Sequence, residues 1–95
     1  LEHVLPENPD TEWSECFSSE DAERFTYRIG NLTLLERTLN GQMGNKLFMD
    51  KQFFYKQSRY QLSRQLAEPD YAETWGPEHI NTRQQQMAVW ATDIW

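Results

Sequence analysis

Three short segments of the sequence contain side-chain types that act in hydrolysis: Glu2-His3-Val4-Leu5-Pro6, Gly30-Asn31-Leu32-Thr33-Leu34-Leu35, and Asn40 on its own. An imidazole, with an unperturbed pKa of about 6.5, can take a proton from water at neutral pH. Carboxylate and amide oxygens suit hard divalent ions such as Mg²⁺. Each residue alone is a weak signal, because a histidine near a chain end is commonly a bystander and asparagines near turns commonly serve as caps.

Together the three segments resemble the ββα-metal motif of HNH, or His-Me finger, nucleases. That motif has an acid-His-apolar-x-Pro segment on its first strand, an asparagine before an apolar second strand, and a metal-binding Asn or His nine residues later on a helix. In this chain Glu2 directly precedes His3, and Asn31 and Asn40 are nine positions apart. Nearly the whole chain further resembles the C-terminal nuclease domain of GmrSD-type modification-dependent restriction enzymes, on the runs EHVLPENP, RIGNLTLLERTLN and WGPEHINTRQQQMAVWATDIW.

The resemblance implies a role for each of these residues. His3 matches the general base, Asn40 a ligand of the divalent metal, and Asn31 the residue that holds the two-stranded turn and orients His3. Glu2 matches an acid that in many HNH enzymes is an aspartate metal ligand. Glutamate is one methylene longer, so Glu2 binds the ion directly or through water, or points elsewhere. The implied cofactor is one divalent metal, Mg²⁺ or alternatively Mn²⁺, which neutralises charge on the leaving 3′ oxygen.

Basic side chains are concentrated in the middle of an acidic chain. The net charge is −6, which is unfavourable for a protein that binds phosphates. Residues 28–64 nevertheless hold seven basic and two acidic side chains. We predict that Lys46, Lys51 and Arg59 contact DNA phosphates, with Lys51 preferred because it matches a lysine of the family pattern. The alternative is that these residues are solvated on helix faces. Tyr55 is expected in the core or as a hydrogen-bonding neighbour of the site, and His79 is expected to be exposed.

The elements that must position these residues can be read from local signals. Pro6 and Pro9 end a short strand, and Ser18 or Ser19 can cap a helix that runs to about Arg28. The run 32–35 suits a buried strand, and helical patterns follow from about Arg37 with a break near Asn45, across about 48–58, and across 60–67. Pro77 begins the last helix, whose apolar stripe we expect to lie in the core: Ile80, Met87, Trp90 and Ile94.

These elements predict an α+β fold that is mostly helical, with a short two-stranded hairpin, a ββα-metal motif and additional C-terminal helices. We expect a single domain over 1–95, with the ββα-metal core at about 1–46 and a helical extension at about 47–95. The hydrophobic content of 38% is typical of a packed globular domain. The lone Cys16 cannot form an internal disulfide or a cysteine zinc site, so we interpret it as a small filler residue.

The surrounding protein is inferred from the same resemblance. The chain starts without an initiator methionine, so we expect a fragment of a longer protein. No apolar run has the length of a membrane span and no signal segment opens the sequence, so we expect a cytoplasmic location. The implied partners are double-stranded DNA and an N-terminal recognition or NTPase region or subunit, without a membrane and with a possible homodimer in the full-length protein. The implied function is a DNA endonuclease in a restriction or phage-defence enzyme. Two alternatives remain: a catalytically silent module that binds DNA or a subunit, and a helical interaction domain whose motif is coincidental.

Overall fold

The computed structural model describes residues 1–69 and 71–94. Within these ranges two short strands form an antiparallel pair, and the remaining elements are helical. The expected α+β class, mostly helical with a two-stranded hairpin, is therefore confirmed. In chain order the elements are β1 (Glu2–His3), a 3-10 turn (Thr11–Glu15), α1 (Ser19–Phe25), a second 3-10 turn (Ile29–Asn31), β2 (Leu32–Thr33), α2 (Arg37–Met43), α3 (Phe48–Tyr55), α4 (Gln61–Gln65) and α5 (Pro77–Ile94).

Each strand of the antiparallel pair has only two residues. Glu2 lies opposite Thr33 and His3 opposite Leu32. We expected β2 to continue to residue 35, but the carbonyl of Leu34 accepts a hydrogen bond from the hydroxyl of Ser63 at α4. Backbone groups bonded to a helix side chain are not available to a strand partner. The hairpin is therefore just long enough to set the position of β1 against the rest of the chain.

Helix α1 begins where the sequence predicted and ends earlier. The hydroxyl of Ser18 accepts a hydrogen bond from the backbone N–H of Asp21 at 3.1 Å, so the predicted cap is confirmed. The helix ends at Phe25 and not near Arg28. The carbonyl of Thr26 accepts a hydrogen bond from the Asn31 side chain at 2.9 Å, because the chain turns back here into the second 3-10 turn.

The middle helices follow the predicted order with shorter bounds. Helix α2 ends at Met43 and is followed by Gly44, whose φ of 59° lies in the left-handed region that favours glycine, so the break predicted near Asn45 is confirmed. Helix α3 spans Phe48–Tyr55 where 48–58 was expected, and α4 spans Gln61–Gln65 where 60–67 was expected. After the turn at Gly44, α2 and α3 are in contact, and Lys51 of α3 reaches the carbonyl of His3 in β1.

Helix α5 starts at Pro77 as predicted, but its apolar stripe is only partly core. Ile80 is fully buried, whereas Met87 and Trp90 are only partly covered. Ile94 ends the helix, and its side chain lies outside the described part. The stripe prediction was wrong for Met87 and Trp90, because α5 packs on the rest of the fold mainly through its first turns at the Ile29–Asn31 turn. Gly30 is required there, since an added Cβ would stand 2.1 Å from the carbonyl oxygen of Ile80.

The core lies between the strand pair and the surrounding helices. Two tryptophans, Trp13 and Trp75, are its largest members, and Phe48 stacks on Trp75 with ring centroids 5.0 Å apart. Across residues 1–69 and 71–94, no helix is both long enough and apolar enough to cross a bilayer. The buried apolar side chains are Val4, Leu5, Trp13, Phe17, Phe25, Leu35, Met43, Phe48, Tyr55, Leu66, Trp75 and Ile80.

Candidate catalytic cavity

One small cavity brings together the residues that the sequence singled out for chemistry. It has a volume of about 220 Å³ and is lined by Glu2 and His3 from β1 and by Asn40 from α2. Asn45, from the turn after α2, and Lys51, from α3, also line it, together with Leu1, Pro6, Glu7 and Gly44. His3 and Asn40 therefore line the same cavity, although 36 residues lie between them in the sequence.

His3 is held in this cavity by packing. Its side chain is 17% exposed, and its ring meets the ring of Tyr27 edge-on, with centroids 5.4 Å apart. Nδ1 lies 3.9 Å from Oε1 of Glu7, beyond hydrogen-bond distance. The Tyr27 hydroxyl donates to the other oxygen of Glu7 at 2.8 Å, and this bond and the charge of Glu7 raise the pKa of Tyr27. No described residue hydrogen-bonds a ring nitrogen of His3, so the imidazole is available to a water or substrate.

The side chain of Asn40 also has no hydrogen-bond partner among the described residues. It is half-buried on α2, and its amide makes no side-chain hydrogen bond within the described residues. The wall beside it is firmly attached: Asn45 donates from Nδ2 to the carbonyl of Asn8 at 2.9 Å, and its own carbonyl accepts from the Trp13 indole at 3.1 Å. Asn40 thus faces the cavity from a helix whose following turn is tied to the loop after β1.

Only one of the two carboxylate oxygens of Glu2 accepts hydrogen bonds. Its Oε2 accepts a hydrogen bond from Lys51 Nζ at 3.0 Å and from the Tyr55 hydroxyl at 2.8 Å, whereas Oε1 has no donor among the described residues. Of the described side-chain nitrogens and oxygens, the one that is sealed from solvent without a partner is Nη2 of Arg83. The free Oε1 of Glu2 and the free amide of Asn40 are therefore accessible from the cavity.

Lys51 does not present its charge to solvent. The side chain is 1% exposed, and Nζ donates to Glu2 and to the carbonyls of His3 and Val4 at 3.0 and 2.8 Å. The predicted phosphate contact of Lys51 is wrong, because all three ammonium donors are used inside the protein. Burial lowers the pKa of Lys51, and the charge of Glu2 opposes that shift.

Tyr55 forms the rear wall behind Glu2, as the sequence suggested for a core residue or a hydrogen-bonding neighbour. Its side chain is fully buried. Burial first, and then the charge of Glu2, raise the pKa of Tyr55 well above 10.0, so its hydroxyl stays a donor at neutral pH. The buried trio of Glu2, Lys51 and Tyr55 fixes the carboxylate at one edge of the cavity.

Asn31 lies behind the cavity and not in it. Its Oδ1 accepts from Leu5 N at 2.8 Å and from the Trp75 indole at 2.9 Å, while Nδ2 donates to the carbonyls of Leu5 and Thr26 at 3.0 and 2.9 Å. The residue is fully buried. Its side chain therefore holds the segment after β1 and has no access to a substrate. That Asn31 orients His3 stays a prediction.

The other two predicted phosphate contacts differ in position. Lys46 is exposed and directly follows Asn45 of the cavity wall. Arg59 is also exposed, but it lines a separate cavity of about 470 Å³ beside Glu36. That larger cavity offers no free acid, because Glu36 accepts from the Ser58 hydroxyl at 2.6 Å and from Arg59 N at 2.9 Å. The structure brings Lys46, and not Arg59, next to the candidate site.

Sequence reasoning missed several residues that support this arrangement. Trp75 reaches Asn31 across 44 positions, and Arg83 Nη1 donates to the carbonyls of Gly30 and Leu32 at 2.9 and 2.7 Å. Local patterns hold no signal for such long-range contacts. His79 was expected to be exposed, but it is half-buried and its Nδ1 accepts from Gly76 N at 3.0 Å.

The cavity residues fit a hydrated hard ion. In the described ranges, no three His, Cys, Asp or Glu side chains are grouped to hold a metal. The lining includes instead the amides of Asn40 and Asn45 and the carboxylates of Glu2 and Glu7, and Oε1 of Glu2 has no donor among the described residues. Mg²⁺ takes oxygen ligands, keeps several waters and is commonly bound through one or two carboxylates together with phosphate. The donor set suits such an ion, and it is poor for an ion that needs a full protein cage.

Comparison with known proteins identifies the family. The family described as GmrSD restriction endonucleases, C-terminal domain, matches residues 1–90. No curated protein and no solved structure matches the chain. The family match covers β1, both asparagines of the motif and most of α5. The chain therefore belongs to the C-terminal domain family of the GmrSD restriction endonucleases.

Proposed function

We propose that this chain is a metal-dependent DNA endonuclease domain of the HNH class, acting in a restriction or phage-defence enzyme. The observation that carries the proposal is that Glu2, His3 and Asn40 line one cavity. Each has a side-chain group without a hydrogen-bond partner among the described residues: Oε1 of Glu2, the imidazole of His3 and the amide of Asn40. Polar groups nearby, such as those of Asn31 and Lys51, are fully engaged. The family match supports the nuclease class.

In the proposed reaction His3 acts on water. Its neutral imidazole takes a proton while the water oxygen attacks phosphorus, and the bond from phosphorus to the 3′ oxygen breaks. Asn40 and Glu2 would hold a divalent ion, Mg²⁺ or Mn²⁺, which supplies positive charge near the leaving oxygen. Tyr55 and Lys51 keep the Glu2 carboxylate in place, and Asn31 keeps the segment after β1 in place.

The substrate in this proposal is double-stranded DNA. Lys46, exposed beside the cavity wall, is suited to contact a backbone phosphate, which positions DNA without reading its sequence. The net charge of −6 predicts weak binding by this chain alone. Selection of DNA would then belong to an N-terminal recognition or NTPase region or subunit. Cutting both strands would require two copies in the full-length protein.

The test is plasmid nicking by the 95-residue chain with Mg²⁺ or Mn²⁺, compared with EDTA. His3→Ala removes the base and should lower the cleavage rate by about 10²–10⁴-fold. Asn40→Ala should cause a loss of similar order. The control is Gln85→Ala, at an exposed position of α5 that does not line the cavity, and it should leave cleavage unchanged.

Two outcomes would contradict the proposal. Full metal-dependent cleavage by His3→Ala or Asn40→Ala would exclude that residue from the reaction. DNA binding without any cleavage by the unaltered chain, under conditions where it is folded, would favour the alternative of a catalytically silent DNA-binding or subunit-interaction module.

A further inference from the structure

The cavity has little net negative charge for a site that would hold a divalent cation. The carboxylate of Glu2 is paired with the ammonium of Lys51 at 3.0 Å, and the Asn40 and Asn45 amides are neutral. The remaining acid of the lining is Glu7, which is 53% exposed at the His3 side and accepts from Tyr27. At most one net negative charge therefore faces an ion of charge +2.

Lys51 cannot withdraw from this pairing. It is 1% exposed and donates to two backbone carbonyls as well as to Glu2. Removing it from these partners would leave a buried ammonium without acceptors, which is costly. The neutralisation of Glu2 is therefore a fixed property of the fold and not one arrangement among several.

A phosphodiester would supply what the cavity lacks. It brings one negative charge and oxygen ligands, and in a partly enclosed space the attraction between opposite charges is stronger than in bulk water. A hydrated ion with two protein ligands has room to exchange waters for phosphate oxygens. Each of the two ligands, ion and phosphate, should then raise the affinity for the other, because such coupling is reciprocal.

We propose that the paired Lys51 and the uncharged Asn40 make this cavity a site that takes up a divalent cation together with a DNA phosphate and not before it. The inference rests on the proposed function and adds the order of assembly to it. Before DNA arrives the chain would hold the ion weakly, and DNA contact would complete the site.

The test measures Mn²⁺ binding and not activity. Free Mn²⁺ is followed by its electron paramagnetic resonance signal during titration of the His3→Ala chain, in which a short DNA duplex stays intact. We expect the duplex to tighten Mn²⁺ binding by about tenfold or more, within the usual range of coupling between two sites. Duplex alone, and duplex with Asn40→Ala in the same His3→Ala background, correct for Mn²⁺ bound to DNA itself.

A charge substitution at the same site sharpens the test. Asn40→Asp keeps the shape and adds one negative charge, so it should tighten Mn²⁺ binding without DNA and reduce the gain that DNA brings. Gln85→Glu adds the same charge on an exposed face of α5 and should change neither quantity. Equal Mn²⁺ affinity with and without DNA in the His3→Ala chain, or an unchanged gain in Asn40→Asp, would overturn the inference.

This failure is distinguishable from failure of the proposed function. If the unaltered chain cleaves DNA in a His3-dependent manner and the His3→Ala chain binds Mn²⁺ tightly without DNA, only the order of assembly is wrong. If the folded chain never cleaves DNA, the proposed function fails whatever the Mn²⁺ titrations show.

Discussion

Asn31 and Asn40 are nine positions apart and occupy opposite kinds of environment. Asn31 is fully buried and uses its amide in four hydrogen bonds, whereas Asn40 is half-buried at a cavity and uses its side chain in none among the described residues. A satisfied buried amide stabilises the fold, and a free amide at a cavity is available to a ligand. The same side chain is therefore structural at position 31, and at position 40 it is the metal ligand of the proposed function.

The region behind the cavity is built almost entirely of such satisfied groups. Asn31 connects the segment after β1 to Trp75, and Arg83 from α5 holds the carbonyls of Gly30 and Leu32. The cavity in front contains the free groups of His3, Asn40 and Glu2. Strands of two residues have few backbone hydrogen bonds of their own. The position of this hairpin is therefore fixed mainly by the side chains that pack behind it.

The largest expected effect is the loss of stability on disrupting the hydrogen bonds of the region behind the cavity. Asn31→Ala would leave four buried groups without partners, and each costs about 1–3 kcal/mol. We expect a loss of at least about 4 kcal/mol in the free energy of unfolding, which is most of the stability of a small domain. Urea denaturation followed by tryptophan fluorescence measures it.

Asn40→Ala is the matched control for that experiment. It should change the free energy of unfolding by no more than about 0.5 kcal/mol, since it removes no internal hydrogen bond of the described residues. Equal losses of stability in the two variants would contradict the division between a structural and a chemical asparagine.

A smaller effect is expected at the boundary between the two regions. Tyr55→Phe removes one donor from the Glu2 carboxylate and leaves the other, from Lys51, in place. Hydrogen bonds to charged groups contribute about 1.5–3 kcal/mol, so we expect a loss of stability in that range and a much smaller loss of cleavage than in His3→Ala. Thermal and urea unfolding, with nicking assays on the same samples, provide the measurement.

Tyr60→Phe is the control for Tyr55→Phe, because Tyr60 is 44% exposed and its hydroxyl has no partner within the described ranges. It should leave stability within about 0.5 kcal/mol of the unaltered chain. If Tyr55→Phe proved as mild as Tyr60→Phe, the buried hydrogen bond to Glu2 would not hold the carboxylate as we describe.

Much of the site and of the element order could be predicted from the sequence. The adjacency of Glu2 and His3 and the spacing from Asn31 to Asn40 are local facts, and the structure brings Glu2, His3 and Asn40 to one cavity. Cap and turn signals located α1 and the break after α2, because Ser18 and Gly44 act within a few residues of their own positions. Whether these side chains act as proposed stays a prediction.

What could not be predicted depends on distant partners. Lys51 looks like a solvated helix residue in sequence, and its burial results from Glu2, 49 positions away. The half-exposed Met87 and Trp90 have the spacing of a core stripe, but the rest of the fold covers only the first turns of α5. Periodicity reports which residues share a face, and it does not report how far the neighbouring elements extend along that face.

The smallest expected effect concerns Glu36 at the separate cavity of about 470 Å³. Both oxygens of its carboxylate accept hydrogen bonds, in contrast to those of Glu2, and the effect of these bonds on stability can be measured as a function of pH. Hydrogen bonds from the Ser58 hydroxyl and from Arg59 N lower the pKa of Glu36 below its ordinary value of 4.5. A carboxyl with a lowered folded pKa stabilises the protein above pH 4.5, and this contribution is lost as pH falls through the folded pKa. Glu36→Gln should therefore be less stable than the unaltered chain at neutral pH, and the difference in urea midpoint should shrink as the pH falls below 4.5. The control is Glu23→Gln, at an exposed acid that makes no hydrogen bond in the described chain, and its urea midpoint should not approach that of the unaltered chain as the pH falls. If the difference for Glu36→Gln did not depend on pH, the charge of the Glu36 carboxylate would contribute nothing to folding.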